Sequence, residues 1–141
     1  RGAFLGLNAS HTRADLLRAV LEGVAFEVES IRQAAQSMTN IPIDQLVVAG
    51  GGVKNLRWMQ MRASIAGCRI RVLPHSETTL LGAAILAGLG SGVYKDLPAA
   101  CAAIQNEDGV ILEPDTEIHA IYRGKFARWQ ESLEKLSVRV D

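Results

Sequence analysis

Gln45-Leu46-Val47-Val48-Ala49-Gly50-Gly51-Gly52-Val53-Lys54-Asn55 decides how this chain folds. The first five residues are mostly branched aliphatics, the composition of a strand buried on both faces. Three glycines end it, and an apolar-periodic segment from Leu56 to Ala66 follows, with Asn55 placed to cap a helix and Gly67 to stop it. Arg69–Leu73 then alternates basic and apolar residues, as a half-exposed strand does, and Pro74 closes it. A strand, helix and strand in this order predict two parallel strands in one sheet, joined by a right-handed crossover, inside a three-layer α/β arrangement.

The glycine turn is also the most informative place for chemistry. Without Cβ atoms its backbone can approach a flat ring or a phosphate, and the helix after it offers unpaired N–H groups with positive partial charge. A Walker loop is excluded, because no Gly-Lys-Ser/Thr follows. A dinucleotide fingerprint fails as well: Asn55 stands where its third glycine belongs, and no acidic residue closely follows the next strand. The turn is a nucleotide site of another type, or a tight turn with no ligand.

Working outward, Ala3–Leu7 reads as a short strand ending in the polar turn Asn8-Ala9-Ser10-His11. Thr12 and Asp15 form a capping-box variant opening a helix to about Met38, with Leu17, Val20, Leu21, Val24, Val28, Ile31 and Ala35 as its buried stripe. Gly23 lies inside that helix, where it costs about 1 kcal/mol against Ala unless something packs closely there. Thr78 or Thr79 can cap a helix from Leu80 to Leu89, ended by Gly90 and Gly92. Its Gly82, Ala83, Ala84, Ala87 and Gly88 make a small-residue surface suited to close packing or to a ligand. Leu97–Ile104 is a short helix, and Gly109–Leu112 is a strand or an extended connection. Ile118, Tyr122, Phe126, Trp129, Leu133 and Leu136 recur every three or four residues, which makes a terminal amphipathic helix, packed on the domain or offered to a partner.

The 141 residues suffice for one domain with a core, and fifteen basic residues balance fifteen acidic ones. No field attracts nucleic acid or an anionic membrane. The longest weakly polar run, Thr78–Gly90, is too short to span a bilayer. Arg1-Gly2-Ala3-Phe4 has neither a secretory signal nor a Met, so the chain is expected to be cut from something longer. Cys68 and Cys101 are isolated, as free thiols in a reducing cytoplasm are. His11, His75 and His119 are equally scattered and read as structural or surface residues, not metal ligands.

Leu46–Gly67 followed by Glu77–Tyr94 resembles the C-terminal domain of the FGGY carbohydrate kinases, members of the actin-like ATPase superfamily with a ribonuclease H-like domain. Arg18-Ala19-Val20-Leu21-Glu22-Gly23-Val24-Ala25-Phe26 is similar to that family's first long helix in this domain, and the terminal Tyr122/Phe126/Trp129 helix fits too. The resemblance covers essentially the whole chain. It implies an α/β sheet flanked by helices, with residues 1–141 as the C-terminal nucleotide-binding domain of a longer, two-domain enzyme.

The resemblance also implies an adenine-nucleotide site. Gly51 matches the glycine whose backbone lies beside the nucleotide, Gly50 and Gly52 shape the turn, and Asn55 matches the Ser/Asn position near the adenine. Gln60 fits the family's Gln, whereas Ser64 stands where an Asp is usual and is given no role. ATP and Mg²⁺ are the implied cofactors. The phosphate loops, the catalytic Asp and most of the sugar pocket would lie N-terminal to this chain. Asp15, Asp44, Asp96, Asp108, Asp115 and Asp141 therefore read as helix caps and solvated surface, and no catalytic residue is assigned.

Arg1–Leu7 and His11–Asp15 most resemble the xylulokinase-like branch. The implied function is the nucleotide-binding part of an ATP-dependent sugar kinase, inactive on its own. The alternative is a non-catalytic binding or regulatory module of the same superfamily. With its upstream strands absent, the sheet would keep an open edge, and self-association through that edge or the long helix is expected.

Overall fold

The long N-terminal helix starts where its capping residues dictate. Thr12 Oγ1 accepts from the Asp15 N–H at 3.4 Å, and the Asp15 carboxylate accepts from the Thr12 N–H at 2.8 Å. In the computed structural model, which describes residues 2–74, 77–104 and 109–137, this box opens α1 (Arg13–Thr39). Asn40 ends α1 in the left-handed region, and Pro42 turns the chain into β1 (Gln45–Val48). A 3₁₀ turn at Gly51–Lys54 leads to α2 (Leu56–Ala66), then β2 (Arg69–Val72). α3 (Thr78–Gly90), α4 (Leu97–Ile104), β3 (Val110–Leu112) and α5 (Thr116–Ser137) complete the order.

The three strands form one sheet in the order β1-β2-β3. β1 and β2 are parallel, with Gln45 opposite Arg69 and Val48 opposite Val72, as the strand–helix–strand pattern requires. β3 is antiparallel to β2, Ile70 facing Leu112, so the extended segment near Gly109 is a strand. Leu46, Val48, Ile70, Val72 and Leu112 point to one face and pack with Met59 and Ala63 of α2. On the other side of α2, Ile65 joins Ala25 and Phe26 of α1 and Tyr122 and Phe126 of α5. The Phe26 ring meets Tyr122 edge-on at 6.1 Å and lies 5.7 Å from both Phe126 and Trp129. The terminal helix is therefore packed on the domain through its aromatic positions.

Several expectations are corrected. Ala3–Leu7 is not a strand; it is exposed and has no strand to pair with among the described residues. β1 is covered on one face only, since Val47 is 57% exposed. Among the described residues, α2 packs on the Leu46/Ile70 face of the sheet, and Val47 and Ile111 on the other face are exposed. Thr78 and Thr79 do not cap α3; they lie inside its first turn, and Glu77 holds the N-cap position. On the small-residue surface Gly88 takes the Tyr94 ring against it, whereas Ala83, Ala84 and Ala87 are exposed.

The buried stripe of α1 is the largest correction. Leu17, Val20, Val24 and Ile31 are 46% to 62% exposed, Leu21, Val28 and Ala35 of the expected stripe are half-buried, and the buried positions are Ala25, Phe26 and Glu29. A Cβ at Gly23 would meet nothing, so no close packing offsets that glycine. The inward face carries polar groups because each is satisfied. Arg32 holds the buried Glu29 carboxylate with two bonds, at 2.7 and 2.8 Å. The same guanidinium donates to Gln36 and to the Ile43 carbonyl, while Gln36 Oε1 accepts from the Ile43 N–H. This cluster ties α1 to the segment that enters β1. Breaking one side strands the other charge, so Arg32→Met is expected to destabilise the fold by on the order of 3 kcal/mol in denaturant unfolding.

A second cluster joins α1 to α5. Glu22 accepts from Arg18 Nε at 2.8 Å and from the Tyr122 hydroxyl at 2.9 Å, with Lys125 Nζ at 3.6 Å. Burial pushes the Glu22 carboxyl up, but those hydrogen bonds and the Lys125 charge outweigh it and hold it below its ordinary 4.5. A lowered folded-state value means the contribution is complete above the unfolded value and is lost as pH falls through the folded one. Stability measured by thermal melts should therefore decline on the acid side of pH 4.5, and Glu22→Gln should flatten that part of the profile.

Candidate functional site

The Gly50–Asn55 segment sits just past the carboxyl end of β1, where β1 and β2 run parallel and the Leu73 N–H extends their pairing to the Val48 carbonyl at 2.9 Å. In open α/β sheets this is the end at which ligands bind. The Val53 N–H closes the turn on the Gly50 carbonyl at 3.3 Å, and the Val53 side chain anchors it among Met59 and Ile70. Asn55 caps α2 as its position predicts, its Oδ1 accepting from the Trp58 N–H at 3.1 Å. At the far end of α2, Gly67 makes the left-handed C-cap.

The three glycines have three different reasons. Gly50 has φ 100° and ψ −173°, a region closed to other residues. Gly52 has an allowed φ, but a Cβ there would stand 3.2 Å from Trp58 Cζ3. Gly51 meets neither condition: its φ is not positive and a Cβ would meet nothing within 4 Å. The space in front of Gly51 is open, and the turn holds it there.

The other sequence-flagged residues go elsewhere. Gln60 Nε2 donates to the Glu113 carbonyl at 2.7 Å, at the end of the sheet opposite the glycine turn, since Leu112 pairs with Ile70 at the start of β2. Ser64 is buried in α2; its hydroxyl donates to the Gln60 carbonyl at 3.1 Å and accepts from the Asp115 N–H at 3.2 Å. His119 Nδ1 lies 2.9 Å from the Ser64 carbonyl and His11 Nδ1 accepts from the Asn8 N–H, so both are structural. Asp15, Asp96 and Asp115 are helix caps. His75, Asp108 and Asp141 lie outside the described residues.

Also at that opposite end is a cavity of about 360 Å³ lined by Arg32, Asp44, Cys68, Arg69 and Glu113. Arg69 and Glu113 are paired at 2.7 Å, and burial pushes the free Cys68 thiol up, with Arg32 opposing, so it stays protonated and inert. Trp58, which supports the turn from beneath Gly52, was missed; a large aromatic in the first turn of a helix after a glycine run is the signal that marks it.

The family described as the C-terminal domain of the FGGY family of carbohydrate kinases matches residues 1–91, which contain α1, the glycine turn, α2 and α3. The chain belongs to that family. A xylulose kinase of Staphylococcus epidermidis is 34% identical over 92% of this chain. A glycerol kinase of Shewanella frigidimarina is 33% identical over 100% of it. The structure of Plasmodium falciparum glycerol kinase with ADP superposes with a TM-score of 0.71 at 28% identity, over 92% of this chain and 26% of that one. The FGGY chain described here spans about a quarter of the length of the curated relatives it matches, 26% and 28% for these two kinases.

The split among the glycines is testable on stability alone. Gly50→Ala should cost on the order of 1–3 kcal/mol in urea unfolding, because of its φ. Gly51→Ala should leave the midpoint unchanged or slightly raised, since nothing stands in its way.

Proposed function

We propose that this FGGY domain is the adenine-nucleotide-binding part of an ATP-dependent carbohydrate kinase that phosphorylates a sugar hydroxyl. The observation that carries the reading is Gly51, a glycine facing open space at the carboxyl end of two parallel strands with no structural reason to be glycine. One solved structure that superposes on this chain is a glycerol kinase with ADP, which supports the same ligand class.

Gly50 and Gly52 shape the turn, Gly51 gives the nucleotide its backbone face, and Asn55 both caps α2 and stands beside the adenine. ATP supplies the phosphoryl group. Mg²⁺ belongs with the phosphates and mainly with residues outside this chain. Most of the sugar pocket, the phosphate loops and the base for the sugar hydroxyl also lie outside it. The acceptor is xylulose or a close analogue, which the Staphylococcus relative supports. Two unpaired thiols, one of them exposed, support a cytoplasmic setting for the whole enzyme.

In the full-length protein, Gly51→Val should raise the KM for ATP on the order of tenfold, with the KM for the sugar within about twofold and kcat little changed, as loss of uniform nucleotide binding requires. Steady-state kinetics with each substrate varied in turn measures this. Equal effects on both substrates would make the turn structural only.

A further inference from the structure

Four contacts converge on Trp58. Its backbone N–H is held by Asn55 Oδ1, and its Cζ3 is the atom that a Cβ on Gly52 would meet at 3.2 Å. Its indole Nε1–H donates to the Leu21 carbonyl of α1 at 3.3 Å. The Arg62 guanidinium lies over its ring, 5.4 Å from the centroid. Arg62 Nε is buried without a hydrogen-bond partner, so the ring face is part of what compensates that cation. Trp58 thus touches the turn, the cap, the interior of α1 and its own helix one turn on.

We propose that Trp58 is a positioning residue for nucleotide binding: its ring sets the height of the Gly51–Lys54 turn, and its indole bond fixes that height against α1. The inference rests on reading the glycine turn as the nucleotide site. Three consecutive glycines have wide backbone freedom, and a ligand must restrict whatever freedom the protein has not already removed. Val53 anchors the turn at one point in the core. Trp58 is the second point, and it lies directly under Gly52, next to the residue that faces the ligand. A phenylalanine at 58 would keep an aromatic side chain but lose both the indole donor and the outer ring atom that reaches Gly52.

The test uses the full-length protein that carries this chain. ADP affinity is measured by displacement of a fluorescent ADP analogue, beside melts without nucleotide. Trp58→Phe is expected to weaken ADP by about fivefold or more, because the turn must then be ordered on binding. Gly52→Ala, whose methyl presses on Cζ3, is expected to weaken it to a similar degree, and it tests the contact even if Trp58→Phe folds poorly. Together the two should lose less than the product of the single losses, because the smaller ring makes room for the methyl. With 5-fluorotryptophan incorporated, the ¹⁹F resonance assigned to Trp58 should shift on adding ADP, which a merely structural residue would not do.

Affinities within about twofold of wild type for both single variants, while Gly51→Val weakens ADP binding about tenfold or more, would overturn the role of Trp58 and leave the site reading intact. Losses that simply multiply would overturn it as well. Undiminished ADP binding in Gly51→Val would remove the site reading, and this inference with it.

Discussion

Everything in this fold leans on α2. Ala63, Ser64, Ile65 and Ala66 are four consecutive buried residues, and a helix can bury four in a row only if it is covered on every side. The sheet covers the Met59/Ala63 side, and α1 and α5 cover the Ile65 side. One polar residue in that run, Ser64, is tolerated because its hydroxyl both donates to Gln60 and accepts from Asp115 at the entry to α5. The burial has a consequence at the other end of the helix. Asn55 caps α2 directly after the glycine turn, so the turn is attached to the most fixed element in the chain. A binding backbone held that way needs little ordering when a ligand arrives.

α1 reaches its neighbours by a different route. Its inward face carries Glu22, Glu29 and Arg32 beside Ala25 and Phe26. Charges on a packed face are disfavoured unless each finds partners, and here each does. The Phe26 cluster supplies apolar burial that could tolerate a shift of α1 along α5. The Glu22–Arg18–Tyr122 and Glu29–Arg32–Gln36 clusters could not, because their bonds fix individual atoms. The first sets α1 against α5 and the second sets it against the entry to β1. That entry is the strand from which the glycine turn springs.

These two modes of packing explain what was legible in the sequence. The β1–turn–α2–β2 unit was readable because its signals are local: Asn55 at a cap, Gly67 at a stop, alternation at Arg69–Val72. The capping box at Thr12 was readable for the same reason. The inward face of α1 was not. Its outward side holds more aliphatic residues, Leu17, Val20, Val24 and Ile31, and counting apolar residues selects the wrong side when the buried one is stabilised by ion pairs. Ala3–Leu7 has strand composition, but strand formation requires a partner that composition cannot supply. In the site, the glycine run was visible, and its division into three roles was not. That division depends on one φ angle and on a tryptophan six residues after Gly52, neither of which a dipeptide or tripeptide pattern contains.

The tight turn and the ligand cradle are usually set against each other as explanations of a glycine run, yet here they apply to different residues. The tight turn accounts for Gly50 by its φ and for Gly52 by the ring beneath it. It leaves Gly51 over. A glycine at a position that any residue could occupy forfeits about 0.5–1 kcal/mol to chain entropy in a helical conformation. Nothing within the described chain offsets that loss, because nothing lies within 4 Å of the missing Cβ. A flat ligand resting against the backbone would offset it, and only a residue without a side chain would admit one. Gly23 is just as unconstrained, so it is the place of Gly51 at the carboxyl end of two parallel strands, and not its openness alone, that makes it the candidate for a nucleotide contact.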